Sequence, residues 1–199
     1  MKKREVTSQQ LIEAATLLFA KHGIEKTSLA MIAAEVGMTK PSIYYHFASK
    51  EELVEKVFEF MFSDYRFEAY FSVSDFNERN FAEKLYQGGL RMFPEDDGNL
   101  HAAMRLLHEF MLTAGRGTPY GDRVARMQQA FLDGFRGLLQ HGADLGAIPQ
   151  ENVEAKAYLL ALAIDNMTSY MMMGIQLDYE TIWKEAVNSV FRKGGNVIA

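Results

Sequence analysis

Between Thr27 and Leu53 the chain has little choice of structure. Leu29, Ile32, Ala33 and Val36 recur at the spacing of one helix face. Gly37 follows directly, where a helix end favours a residue that tolerates a left-handed backbone. Thr39 is placed to cap a second helix, and Pro41 falls in its first turn, where a missing N–H does no harm. That second helix is too short to stand alone. It turns Ile43 and Phe47 toward a core and leaves Lys40, Ser42, Tyr44, Tyr45 and His46 on its outer sides. A short, propped helix rich in donors and aromatic rings is the form in which a helix-turn-helix enters a DNA major groove.

The same stretch resembles the DNA-binding signature of the TetR (tetracycline-repressor) family. The residues that carry the resemblance are Thr27, Ile32, Ala33, Val36, Gly37, Thr39, Ile43, Tyr44, His46, Phe47, Lys50 and Leu53. They cover only the first quarter of the chain, but the motif is long and gapped, which makes it specific. The resemblance implies an all-α protein of about nine helices. Residues 1–50 would be a three-helix helix-turn-helix DNA-binding domain, and residues 51–199 a helical ligand-binding and dimerisation domain. Carried over position by position, Lys40, Pro41, Ser42 and Tyr44 approach base edges, while Thr27, Ser28, Thr39, Tyr45, His46 and Lys50 hold phosphates. A lysine at a helix start is not there for the dipole, which favours acids, so a phosphate is the better account of Lys50.

Charge distribution agrees with that division. The net charge is −5, which alone argues against nucleic acid. Residues 1–50, however, hold seven Lys and Arg against four Glu, leaving an acidic remainder. An electropositive head on an acidic body suits a protein that presents one end to phosphates. There is no cysteine, which removes disulfides and thiolate metal sites and fits a cytoplasmic protein. No apolar run is long enough for a membrane span, and the basic start Lys2-Lys3-Arg4 is followed by polar residues rather than a signal-peptide core. That start reads equally as an arm reaching phosphates or a minor groove and as a plain basic tail.

Helical periodicity continues along the chain. A first helix is expected over about 8–22, opened by a Thr7/Gln10 capping box and stopped by Gly23. After the helix-turn-helix, Ser49 and Glu52 form a second capping box, and one helix is expected from there to about Phe71. Further helices are expected over about 79–93, 99–114, 120–141, 152–173 and 179–192, with Gly88-Gly89 weakening the first of these. Pro94–Gly98, Gly115–Pro119, Gly142–Pro149 and Gly174–Asp178 are the breaks between them.

The segment 152–173 is apolar nearly all round and has to be covered on every side. Together with 179–192 it would form a homodimer through a four-helix interface, as the resemblance implies. Met and Phe residues make adaptable walls for an apolar effector of unknown identity. The candidate lining is Met104, Leu107, His108 and Met111, then Met127, Phe131 and Phe135, then Tyr158, Leu162, Asp165, Asn166 and Tyr170. The same stripes also serve as plain core. Asp165 and Asn166 inside an apolar helix need partners, which a ligand, a side chain of the helix over about 99–114 or a partner subunit would each supply. His101, Arg105 and His108 share a face but lack further ligands for a metal, so neither metal nor cofactor is expected. No phosphate loop, nucleophile elbow or HExxH suggests an enzyme. The reading is a ligand-responsive repressor that binds a double-stranded DNA operator and is released by a small, largely apolar effector. The alternative is a helical small-molecule-binding or scaffold protein that binds no operator.

Overall fold

The computed structural model describes residues 3–93, 106–112 and 119–192, with burial described for these apart from residues 3–6, 119–120 and 172. All regular structure among the described residues is helical, as the periodicity predicts. By contact the chain divides into two compact units, Met1–Asp64 with Asp97–Arg126, and Tyr65–Asp96 with Met127–Ala199.

The first unit contains α1 (Lys3–His22), α2 (Leu29–Glu35), α3 (Lys40–Ile43) and α4 (Lys50–Phe62). It also holds α7, described over residues 106–111, and the first turns of α8 (Pro119–Asp144). Helix α1 packs on α2 and α4, and α2 on α3. Leu11, Ala15, Phe19, Ile32, Ala33, Ile43, Leu53 and Val57 are sealed between these helices. Phe110 of α7 meets Phe58 and Phe62 of α4 edge-on, with ring centroids 5.1 and 6.1 Å apart. Edge-to-face packing of this kind adds about 0.5–1.5 kcal/mol per pair beyond area burial.

Two boundaries differ from the sequence expectation. Helix α1 is already formed at Lys3, the first described residue, rather than beginning near Ser8, and Lys3-Arg4-Glu5-Val6 contains no Gly or Pro that would interrupt it. Lys3 and Arg4 therefore belong to the helix and not to a loose arm, while Lys2 lies outside the described residues. The single helix expected over 49–71 ends at Phe62. Ser63 and Asp64 follow, residue types whose side chains compete for backbone groups. Phe67 and Phe71 then enter a different core.

That core fills the second unit. Its elements are α5 (Phe67–Tyr70), a 3₁₀ turn (Val73–Asp75), α6 (Phe81–Leu90), the remainder of α8, α9 (Val153–Met172) and α10 (Tyr179–Phe191). Helix α10 packs on both α6 and α9. Aromatic rings do much of the filling, and they need room. A Cβ built on Gly88 would stand 2.2 Å from the Phe71 ring, and one on Gly89 would stand 2.2 Å from the indole of Trp183. Gly134 faces Phe67 and Gly142 faces Phe81 in the same way, each at 2.3 Å. The helix runs through Gly88-Gly89 without a break. The propensity cost of each glycine, about 1 kcal/mol against alanine, is offset by the ring it admits. Trp183 is fully buried, and its indole N–H donates to the Tyr86 carbonyl at 2.9 Å. No described helix is long and apolar enough to cross a membrane.

Candidate functional site

The turn between α2 and α3 is fixed by backbone chemistry. Gly37 takes φ +71°. The Met38 N–H donates to the Ala33 carbonyl at 2.7 Å and the Gly37 N–H to Ala34 at 3.0 Å, the paired bonds of a Schellman helix end. Helix α3 then begins with Pro41 in its first turn. Ile43 and Phe47 are buried and anchor it. Thr39 and Ser42 bond to each other through their hydroxyls at 2.8 Å across the start of the helix. Thr39, Lys40 and Pro41 are exposed and Ser42 is half-buried. Tyr44 and Tyr45 leave the end of α3 with 49% and 79% of their surface in solvent.

Around this helix the remaining candidates act as braces. Thr27 has no exposed surface, and its hydroxyl is directed at the Gly23 and Leu18 carbonyls, 2.9 and 3.2 Å away. It ties the end of α1 to the start of α2 from inside. Ser28 is exposed and caps α2, its hydroxyl accepting the Met31 N–H at 3.2 Å. The His46 ring is half-buried and joins the Ser8 hydroxyl of α1 at 2.9 Å. Lys50 reaches back with its ammonium to the Glu25 carbonyl at 3.2 Å, using one of three protons. Ser49 caps α4 by accepting the Glu52 N–H, and Glu52 returns to accept the Ala48 N–H at 2.6 Å. Glu51 in the same turn is held below the ordinary carboxylate range, chiefly by its backbone hydrogen bond and then by Ser49.

One brace is not local at all. The Glu109 carboxylate on α7 accepts the Ile24 N–H at 2.8 Å, just after Gly23 turns out of α1 with φ +86°. Nothing in the sequence pairs residues so far apart. Arg123 of α8 likewise bonds Glu59 of α4, which Lys56 also bonds at 2.7 Å. Those two cations, Lys56 first, keep Glu59 below the usual carboxylate range.

The candidate effector residues fall into separate groups. Leu107 is buried, Met111 half-buried and His108 exposed, all in the first unit, while Met104, His101 and Arg105 lie outside the described residues. In the second unit Phe135 is core, 5.2 Å from both the Phe67 and Phe71 rings. Phe131 lies at the edge of that core against Tyr65 at 4.7 Å and Tyr70 at 6.3 Å, with Met127 half-buried beside the cluster. Asp165 is exposed as a residue, yet partial burial pushes its carboxyl above the ordinary range against a hydrogen bond with Gln128. Burial, then the Tyr70 hydroxyl and the Asp165 carboxyl, raise the Tyr65 hydroxyl strongly. Tyr65, Tyr70 and Gln128 were not among the candidates. Tyr65 reads in the sequence as one more apolar position of a continuous helix, and only the break at Ser63 brings it here. Tyr158 donates to Glu154 at 2.9 Å, while Leu162, Asn166 and Tyr170 are exposed on α9. No cluster of three potential metal-binding His, Asp or Glu occurs among the described residues.

Comparison with known proteins bears on the first of these sites most directly. The family described as "Bacterial regulatory proteins, tetR family" matches residues 11–57. The HTH-type transcriptional regulator TtgR of Pseudomonas putida is 45% identical over 53 residues, 27% of this chain and 25% of that protein. The HTH-type transcriptional repressor KstR2 of Mycobacterium tuberculosis is 38% identical over 61 residues, 29% of this chain and 30% of that protein. The chain thus spans about a quarter of the length of the curated relatives it matches first. Solved structures match much more of it. A TetR transcription regulator from Haloarcula marismortui covers 94% of this chain and 97% of its own, with a TM-score of 0.72 and 16% identity. The SmeT–triclosan complex covers 95% and 93%, with a TM-score of 0.69 and 19% identity. At such identities these likenesses establish the fold: an N-terminal helix-turn-helix domain followed by a helical body.

Proposed function

We propose that the chain, whose residues 11–57 match the TetR family of bacterial regulatory proteins, is a regulator of that family, a homodimeric, ligand-responsive transcriptional repressor. The observation that carries the reading is α3 itself. It is a single turn anchored from behind by Ile43 and Phe47, with its outer residues exposed. Lys40, Pro41, Ser42 and Tyr44 approach base edges in the major groove. Ser28, Thr39, Tyr45, His46 and Lys50 hold the phosphates on either side, and Thr27 serves from the interior by fixing the angle between α1 and α2. Phosphate contacts set position and affinity, while base contacts set preference.

Two heads reach successive major grooves, about 34 Å apart, only if two copies pair. The pairing elements are α9 and α10. Helix α9 exposes Leu159, Leu162 and Tyr170, with Met173 exposed at its C-terminal cap, and α10 exposes Ile182. The effector is a small, largely apolar molecule that enters beside Phe131, where Tyr65, Tyr70, Gln128 and Asp165 supply polar edges. It acts by favouring one head spacing over another, which is a shift between populations. Glu109 and Arg123 are the hydrogen-bonded points at which α7 and α8 hold the head and α4, so they pass the shift on. SmeT is a relative in fold whose structure was solved with triclosan, which supports an apolar effector of that size.

Fluorescence anisotropy with genomic DNA fragments tests this directly. The parent should select particular fragments and lose them on addition of its effector. Lys50→Ala should weaken binding to all fragments and reduce the salt slope by about 1. Tyr44→Ala should change which fragments are preferred. Binding of the parent that never rises above its non-specific level would remove the operator from the proposal.

A further inference from the structure

We propose that Asn166 fixes the register of the homodimer, by pairing with its own copy at the centre of an otherwise apolar stripe on the outer face of α9. The inference rests on the homodimer reading above and adds which residue decides how the two copies align.

At about 100° per residue, Leu159, Leu162, Asn166, Tyr170 and Met173 fall within roughly an 80° sector, and Asn166 falls near its middle. Ala157, Leu160 and Ile164 lie on the other side of the helix and are buried in the core of the second unit. The four apolar members of the stripe are 44–64% exposed. Large apolar residues repeating on one side of a helix, open to solvent in the single chain, mark a contact surface. The stripe runs for roughly 21 Å and continues into exposed Ile175 and Leu177 in the connection and Ile182 on α10. It carries no formal charge, so it offers nothing to a nucleic acid or to a strongly charged partner. A second copy supplies a surface of the same neutrality and the same length, and a two-fold axis brings like residues together.

Apolar side chains alone do not specify such a pairing well, because a slip of one turn replaces Leu with Leu or Tyr at little cost. Asn166 does specify it. Its amide N–H donates to the Leu162 carbonyl of its own helix at 3.0 Å. The amide carries a second N–H and an acceptor oxygen besides, and Asn166 is exposed. Once covered, these groups are satisfied in full when Asn166 meets Asn166, meet only the single hydroxyl of Tyr170 after a one-turn slip in that direction, and are left unpaired in registers that set them against Leu159, Leu162 or Met173. A buried unpaired amide costs about 1–3 kcal/mol. A lone polar residue in an apolar helix seam is a known means of choosing one alignment at some expense in affinity.

The chain contains no cysteine, so a single introduced thiol can be labelled uniquely. Ala82→Cys on the exposed side of α6 serves as the spin-label site, with distances read by double electron–electron resonance and association by sedimentation equilibrium. The parent should give one narrow distance. Asn166→Leu should dimerise about tenfold more tightly and give two or more distances, or species larger than a dimer. A single distance in Asn166→Leu identical to the parent's overturns the role of Asn166, whatever the affinity. Leu162→Glu separates that failure from a failure of the homodimer reading. This residue is exposed, so the variant should fold, as circular dichroism will register, and it should abolish the dimer. A dimer untouched by Leu162→Glu puts the interface elsewhere and overturns the α9 pairing together with the role of Asn166, whereas a parent that does not self-associate overturns the homodimer itself.

Discussion

The two units are held together by different chemistry. In the first, short helices are joined by side chains bonding to backbone: Thr27 to Gly23 and Leu18, Ser28 to Met31, Ser49 to Glu52, Glu52 to Ala48, Lys50 to Glu25. In the second, rings are pressed onto glycines: Phe71 on Gly88, Trp183 on Gly89, Phe67 on Gly134, Phe81 on Gly142. Polar braces hold directions. They fix how α3 leaves the surface while leaving its outer residues uncommitted. Ring-on-glycine contacts hold volume, and they have no slack, because a ring cannot move aside for a methyl group in a packed interior.

The sharpest way to break this contrast is to add one methyl group to the second unit. Gly89→Ala should cost about 3 kcal/mol or more through overpacking against Trp183, and lower the melting temperature by roughly 6–12 °C. A variant that melts with the parent would mean that the indole has room to shift. Removing a brace from the head should cost less. Thr27→Val keeps the shape and deletes the hydroxyl, and should cost about 1–2 kcal/mol, read by urea unfolding, with weaker DNA binding because α2 and α3 lose their angle. A larger loss from Thr27→Val than from Gly89→Ala would reverse the comparison.

The smallest effect expected is at Asp165, and its sign depends on pH. Its carboxyl is raised above the usual range, so the folded state holds that proton more tightly than the unfolded chain does. The resulting stabilisation is present in acid and is lost as pH rises through the folded pKa. Asp165→Asn lacks this titration. The melting temperature of the variant relative to the parent should therefore rise on going from about pH 4 to about pH 7. A constant difference across that range would mean that the carboxyl is solvated like any surface acid.

The same contrast explains what was legible in the sequence. Gly37, Pro41, Ser49 with Glu52, and the Leu29–Ile32–Val36 face are signals written within a few residues of where they act, and the structure forms the elements they announce. Thr39 is at the expected start of α3, although its hydroxyl bonds Ser42 rather than capping the backbone. Gly88-Gly89 could be read only as a weakness, because Phe71 and Trp183 stand far away in sequence. Glu109 was invisible for the same reason, since its partner at Ile24 is a backbone N–H and carries no side-chain signature. The expected helix over 49–71 failed at Ser63, where the needs of two cores outweighed a continuous apolar stripe. The body's all-round apolar helix was legible as a demand for covering, and Leu159, Leu162, Tyr170 and Met173 remain uncovered in the single chain.

The brevity of α3 has a consequence for how such a protein diversifies. Its place is set by Ile43 and Phe47, both buried, and by the left-handed backbone of the Gly37 turn, which has no side chain to read anything. Lys40 and Tyr44 project outward and contribute little to folding. Under the proposed operator-binding role, exchanging them would alter base preference while the buried anchors stay in place. If that role holds, duplicate copies of a chain built this way could acquire new operators by substitutions at two or three surface positions, without first gathering stabilising changes elsewhere.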